Sequence, residues 1–175
     1  NCERIAKLAP EDPELMPELG PQQYDEPIVW SDATASLEPE ARAEAVRAIT
    51  EPARRAGLIS TGYLEAQAQA FAIANNKGLF AYQRSTGVAF TTTVRTQDGT
   101  GSGWAGASDN DFRRIDPRVL AERAIEKARR SANPAAIEPG RYTVVLEPTA
   151  VANLVQLIGG ALGARNADEG RSFFS

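Results

Sequence analysis

The side chains that usually do chemistry are scarce in this chain. Its 175 residues include no histidine and a single cysteine, Cys2. Without histidine there is no His-Glu zinc set, no Ser-His-Asp triad and no Cys-His dyad. One cysteine builds neither a disulfide nor a cysteine-rich zinc site, and Cys2 reads as a chain-end residue without a role. The carboxylates Asp98, Asp109, Asp111, Asp168 and Glu169 remain for acid–base work. Nothing in their spacing pairs them, so they read as solvated surface acids. Gly99-Thr100-Gly101-Ser102-Gly103 has the glycine density of a phosphate loop. Such a loop needs a lysine and a helix N-terminus behind it. Here a strand with Trp104 follows, so the segment reads as a β turn or bulge.

The elements that would position these residues can be read from punctuation and period. Residues 3–8 resemble the last turns of a helix. Five prolines (Pro10, Pro13, Pro17, Pro21 and Pro27) make residues 9–30 an extended linker. Leu15, Met16, Leu19, Tyr24 and Trp30 are its expected anchors to a surface. A helix is expected over 37–56, with Ser36 as N-cap, Pro39 in the first turn and Gly57 as the stop. Its inner stripe is Ala45, Ile49, Pro52 and Ala56, or Val46, Ile49 and Ala53, and Pro52 is expected to kink or shorten it. From residue 58 the pattern becomes alternating and rich in β-branched and aromatic residues. Asn75-Asn76-Lys77-Gly78 and Gln97-Asp98-Gly99-Thr100-Gly101 are turn signals. They divide residues 58–107 into a three-stranded antiparallel meander. Asp116 and Pro117 open a second long helix running to about Ser131, with the stripe Val119, Leu120, Ala124 and Ala128. After Pro139-Gly140, a short strand Tyr142–Leu146 and a helix Thr149–Leu162 are expected. The class is α+β: an antiparallel meander packed with two or three helices, plus a strand–helix start of a second unit.

Composition narrows the function classes. The net charge is −4, and the densest basic stretch, Arg123, Lys127, Arg129 and Arg130, is interleaved with Glu122 and Glu126. That is a solvated helix face and gives no support for direct nucleic-acid contact. No apolar run spans a bilayer, and no secretory leader is visible. With one cysteine, a cytoplasmic setting is expected. The first residue is Asn1 rather than Met, and both ends read as cuts through a longer protein.

Five segments in order resemble the TldD/PmbA family, also called modulators of DNA gyrase. They are Leu8–Leu15, then Ala74-Asn75-Asn76-Lys77-Gly78-Leu79, then Gly101-Ser102-Gly103-Trp104-Ala105. Pro139–Pro148 with Ala150-Val151-Ala152 is the most specific, and Glu169-Gly170-Arg171-Ser172-Phe173 is the last. The resemblance implies a central domain over 1–135 and the start of a β-rich C-terminal domain over 136–175. In that family, TldD-type subunits carry HExxxH on the helix after the Val-Val-Leu strand. Two histidines about a turn apart hold zinc, and the glutamate serves as base. By alignment, Gln156, Leu157 and Ala161 occupy those three places here. The resemblance therefore implies the PmbA (TldE) kind of subunit, with no catalytic or metal-binding residue in this chain and zinc in a catalytic partner. The implied partner is a TldD-type subunit in a heterodimer, with a homodimer as the other arrangement. The implied substrates are peptides and small unfolded proteins, and an exposed edge of the 58–107 meander would suit their capture. The alternatives are a regulatory protein that modulates DNA gyrase without peptidase activity, and a homo-oligomeric binding module.

Overall fold

The computed structural model describes all residues from Asn1 to Ser175. The chain divides into two compact units, Asn1–Ala135 and Ala136–Ser175. In the first unit, α1 (Cys2–Ala6) leads into a linker without regular structure, followed by the single turn α2 (Asp32–Ala35) and the helix α3 (Pro39–Arg55). Then come β1 (Ile59–Ala74), β2 (Phe80–Arg95), β3 (Ser102–Asp109), a 3-10 turn at Phe112–Arg114 and the helix α4 (Pro117–Arg130). The three strands form one antiparallel sheet in the order β1-β2-β3, as the turn signals predict.

The sheet is asymmetric. β1 and β2 pair along their whole length, from Ile59 opposite Arg95 to Ala74 opposite Phe80. β3 covers only Val88–Arg95 of β2. The base of the hairpin is therefore three strands wide, while its outer half is a two-stranded ribbon. Helices α3 and α4 pack against each other and against one face of the base. Val88, Phe90, Thr92 and Val94 alternate inward from β2 and are buried. They meet Ala45, Ile49 and Ala53 of α3 and Leu120, Ala121, Ala124 and Ala128 of α4. The buried stripe of α3 combines members of both predicted stripes and leaves Val46 on the wet side, and α4 leaves Val119 of its expected stripe exposed.

Small residues let the layers approach. A Cβ on Gly103 would stand 2.1 Å from the Ala124 carbonyl oxygen, and one on Gly101 2.2 Å from that of Ala128. The glycine-rich stretch thus serves strand–helix contact, with Gly99 (φ +74°) making the turn.

Helix ends follow local chemistry with two departures. The Asp116 carboxylate accepts the Arg118 N–H at 2.9 Å and caps α4 as expected. Helix α3 begins two residues later than Ser36 suggests, with Glu38 at the N-cap. Ser36 instead closes α2, its hydroxyl bonded to the Asp32 carbonyl at 2.7 Å. Pro52 does not shorten α3, which continues to Arg55. Only one turn follows the proline, and that turn is held by fully buried Ala53 and a Schellman cap. In this cap Leu58 N–H reaches Ala53 O (2.9 Å) and Gly57 N–H reaches Arg54 O (3.0 Å). The linker also differs from expectation: of its five expected anchors Leu15, Met16, Leu19 and Tyr24 are exposed, and the chain is pinned by the backbone groups of Leu19 and Val29.

The second unit contains α5 (Pro148–Gly159) and α6 (Ala164–Asp168). Residues 142–146, expected as a strand, pair with nothing and have no regular structure. A strand exists through its ladder, and no extended segment of residues 136–175 lies beside this one. Helix α5 stops at Gly159, three residues short of the expected Leu162. Its stripe of Val151, Leu154, Val155 and Ile158 is exposed.

Candidate functional site

Gln156 and Leu157 lie in the last turn of α5, and both are exposed. Ala161 falls beyond the helix, in a turn whose N–H bonds to the Ile158 carbonyl at 2.9 Å. The three positions do not share a helical face. An amide oxygen is a poor zinc ligand, and leucine and alanine offer no donor. No three carboxylate or thiol side chains gather elsewhere to hold a metal. The residues present do not fit a catalytic zinc.

The carboxylates singled out by type are spread over separate structural tasks. Asp98 fixes the β2–β3 turn, where one oxygen accepts from Thr96 Oγ1 (2.6 Å), Thr100 N (3.1 Å) and Thr100 Oγ1 (3.0 Å). These bonds favour its charged form and hold its pKa below the ordinary carboxylate range. Asp111 is buried and takes a forked pair of bonds from the Arg113 guanidinium, Nη2 at 2.6 Å and Nε at 3.0 Å. That side chain, and then the Arg113 backbone N–H, push its pKa far down. Asp109 accepts the Asp111 N–H at 2.9 Å and faces Arg114 at 3.5 Å. In the second unit, Glu169 pairs with Arg165 and Arg171, while Asp168 ends α6. Each bonded acid holds a turn or a helix end.

What the structure does bring together is a groove along the outer hairpin. The linker runs beside β2 in the same direction, fastened at both ends. At the hairpin turn, Asn75 Nδ2 donates to Leu19 O at 2.8 Å. At the other end, Thr86 N–H donates to Val29 O (2.9 Å), and Ser31 N–H donates to Thr86 Oγ1 (2.9 Å). Thr86 Oγ1 in turn donates to Asn110 O at 2.8 Å, which also accepts from Thr34 Oγ1 at 2.9 Å. This knot ties linker, α2, β2 and the loop after β3 into one support. Between the two fastenings the linker bows away and leaves a cavity of about 750 Å³. Tyr24, Trp30, Phe71, Phe80 and Tyr82 supply its aromatic walls, and Asp25 and Glu26 its acidic rim. The Arg84 guanidinium stacks on Trp30 at 4.3 Å and stiffens the wall. Sequence reasoning named Tyr24 and Trp30 only as anchors; the alternation of Phe80 and Tyr82 in a ribbon too long for its sheet was the further signal.

Residues 32–132 match the model of the PmbA/TldA metallopeptidase central domain, and residues 139–175 match that of the C-terminal domain of the same family. No curated protein matches the chain. Among solved structures, it is similar to a proposed modulator of a DNA gyrase from Thermotoga maritima, with a TM-score of 0.76 and 18% identity. That likeness covers 86% of this chain and 36% of the other. It is also similar to TldE from Thermococcus kodakarensis, with a TM-score of 0.58 and 18% identity over 72% of this chain and 30% of the other. The chain thus spans about a third of the length of these solved proteins, and at such identity the likeness establishes the fold.

Proposed function

The chain belongs to the PmbA/TldA metallopeptidase family, and from that premise we propose that it is part of a non-catalytic, PmbA/TldE-like subunit. This subunit assembles with a zinc-bearing TldD-type subunit, in the cytoplasm, to break down peptides or small unfolded proteins. The observation that carries the reading is the end of α5. By motif alignment Gln156, Leu157 and Ala161 correspond to the His, Glu and His of a zinc-binding relative, and the chain has no histidine at all. One of its structural neighbours is itself a TldE. Its own contribution is to hold and orient an extended substrate beside a partner's reaction centre. No helix is long and apolar enough to cross a membrane, which accords with a subunit that works in water.

The test is assembly. The protein carrying this chain, mixed with a His-containing TldD-type subunit from the same cell, should elute in gel filtration as one larger species. Separate elution at micromolar concentrations contradicts the reading. A second reading, modulation of DNA gyrase, rests on the description of the T. maritima protein. With a net charge of −4, it would have to act without direct DNA contact. Retention of DNA on a filter at low salt would bring direct contact back.

A further inference from the structure

Thr86 donates its N–H away from β1, to the linker. In an antiparallel ladder successive residues turn their backbone groups to opposite sides, so the even-numbered residues of β2 all face that way. Over Val88–Val94 those groups meet β3. Over Phe80–Arg84 no strand stands on that side of β2, and the bowed linker makes no backbone hydrogen bond to Tyr82 or Arg84. These open groups look into the aromatic groove between β2 and residues 24–28.

We propose that this slot is a docking site for one extended peptide segment, which adds to β2 as a strand alongside Phe80–Arg84. The open edge is about five residues long, roughly 17 Å at 3.3 Å per residue. The linker already shows the mode, pairing its own backbone with Thr86 where the slot ends. Side chains of an added strand alternate between the two faces of the ribbon. One face presents Phe80 and Tyr82, and the other presents Phe71 across from Gln83. Both faces take apolar groups, while Asp25 and Glu26 on the rim favour a lysine or arginine. Main-chain bonds give affinity for any extended segment without proline, and the walls bias it towards apolar residues mixed with basic ones.

This inference deepens the peptide-handling reading and rests on it, but its readout needs no partner subunit. Amide hydrogen exchange of the chain is followed by NMR as a capped hexapeptide of alternating valine and lysine is added. The amides of Tyr82 and Arg84 should slow at least tenfold. Those of Ala68 and Ala70, on the opposite edge of β1, should not change. The same peptide with alternate backbone nitrogens methylated should have no effect. Asp25→Asn with Glu26→Asn should weaken the lysine peptide but not one with norleucine in place of lysine. Unchanged exchange at Tyr82 and Arg84 with millimolar peptide overturns the proposal, as does protection confined to Ala68 and Ala70. Protection that grows with protein concentration in the absence of peptide also overturns it, assigning the edge to a second copy. Assembly with a TldD-type subunit can fail while these readouts hold, and the reverse, so the two ideas fall separately.

Discussion

Replacing Gly103 by alanine tests how closely β3 lies on α4. Gly103 has no positive φ, so alanine meets no backbone penalty there, and the whole effect must come from contact. The new Cβ would stand 2.1 Å from Ala124 O, 2.5 Å from Ala128 N and 2.6 Å from Lys127 Cβ. Two of these three are helix backbone, which cannot swing aside. A carbon and a carbonyl oxygen need about 3.3 Å, so α4 must retreat by about 1.2 Å along that line. A radial gap of that size forfeits about half of each affected dispersion contact. The losses fall on Leu120, Ala121, Ala124 and Ala128, the buried stripe of the helix. Overpacking of this kind costs roughly 3 kcal/mol. Gly99→Ala is the control: at φ +74°, with nothing within 4 Å, it should cost only the left-handed strain, roughly 1 kcal/mol. Urea titration followed by far-UV circular dichroism and tryptophan fluorescence measures both. A loss at Gly103→Ala no larger than that at Gly99→Ala would refute the close-packing argument.

Phe90 sits at 2% exposure in the centre of the core, so Phe90→Ala should cost about 3–5 kcal/mol in the same titration. The depressed pKa of Asp111 stabilises the fold fully above the unfolded carboxylate value of about 3.9. That contribution is lost as pH falls through the folded value, which lies lower still. Between pH 5 and pH 2 the chain should therefore lose stability, with a shallower slope for Asp111→Asn; equal slopes would mean that the Arg113 fork contributes nothing.

Much of the first unit could be read from local chemistry. Gly57, Gly78 and Gly99 each take the positive φ that their turns require, and they place the three strands within two residues. Asp116-Pro117 opens α4 because capping is decided within four residues. What escaped the sequence depends on neighbours that period and punctuation cannot specify. Ser36 is an equally good cap for one turn or the next, and the choice fell to α2. Gly101 and Gly103 looked like turn residues because the helix that presses on them comes some twenty-five residues later. Leu15 and Met16 looked like anchors because apolar type does not say whether a surface lies underneath. Tyr142–Leu146 has strand composition, but a ladder takes two strands. The degenerate metal positions Gln156, Leu157 and Ala161 were legible only through the family resemblance, since nothing intrinsic marks an absent ligand.

The central claim is that this subunit has no metal chemistry of its own and serves a partner that has. It is tested most directly by zinc content and peptide cleavage for the protein carrying this chain, alone and mixed with a His-containing TldD-type subunit. The account predicts cleavage only in the mixture, with zinc confined to the partner. Stoichiometric zinc and cleavage by the protein alone would contradict it.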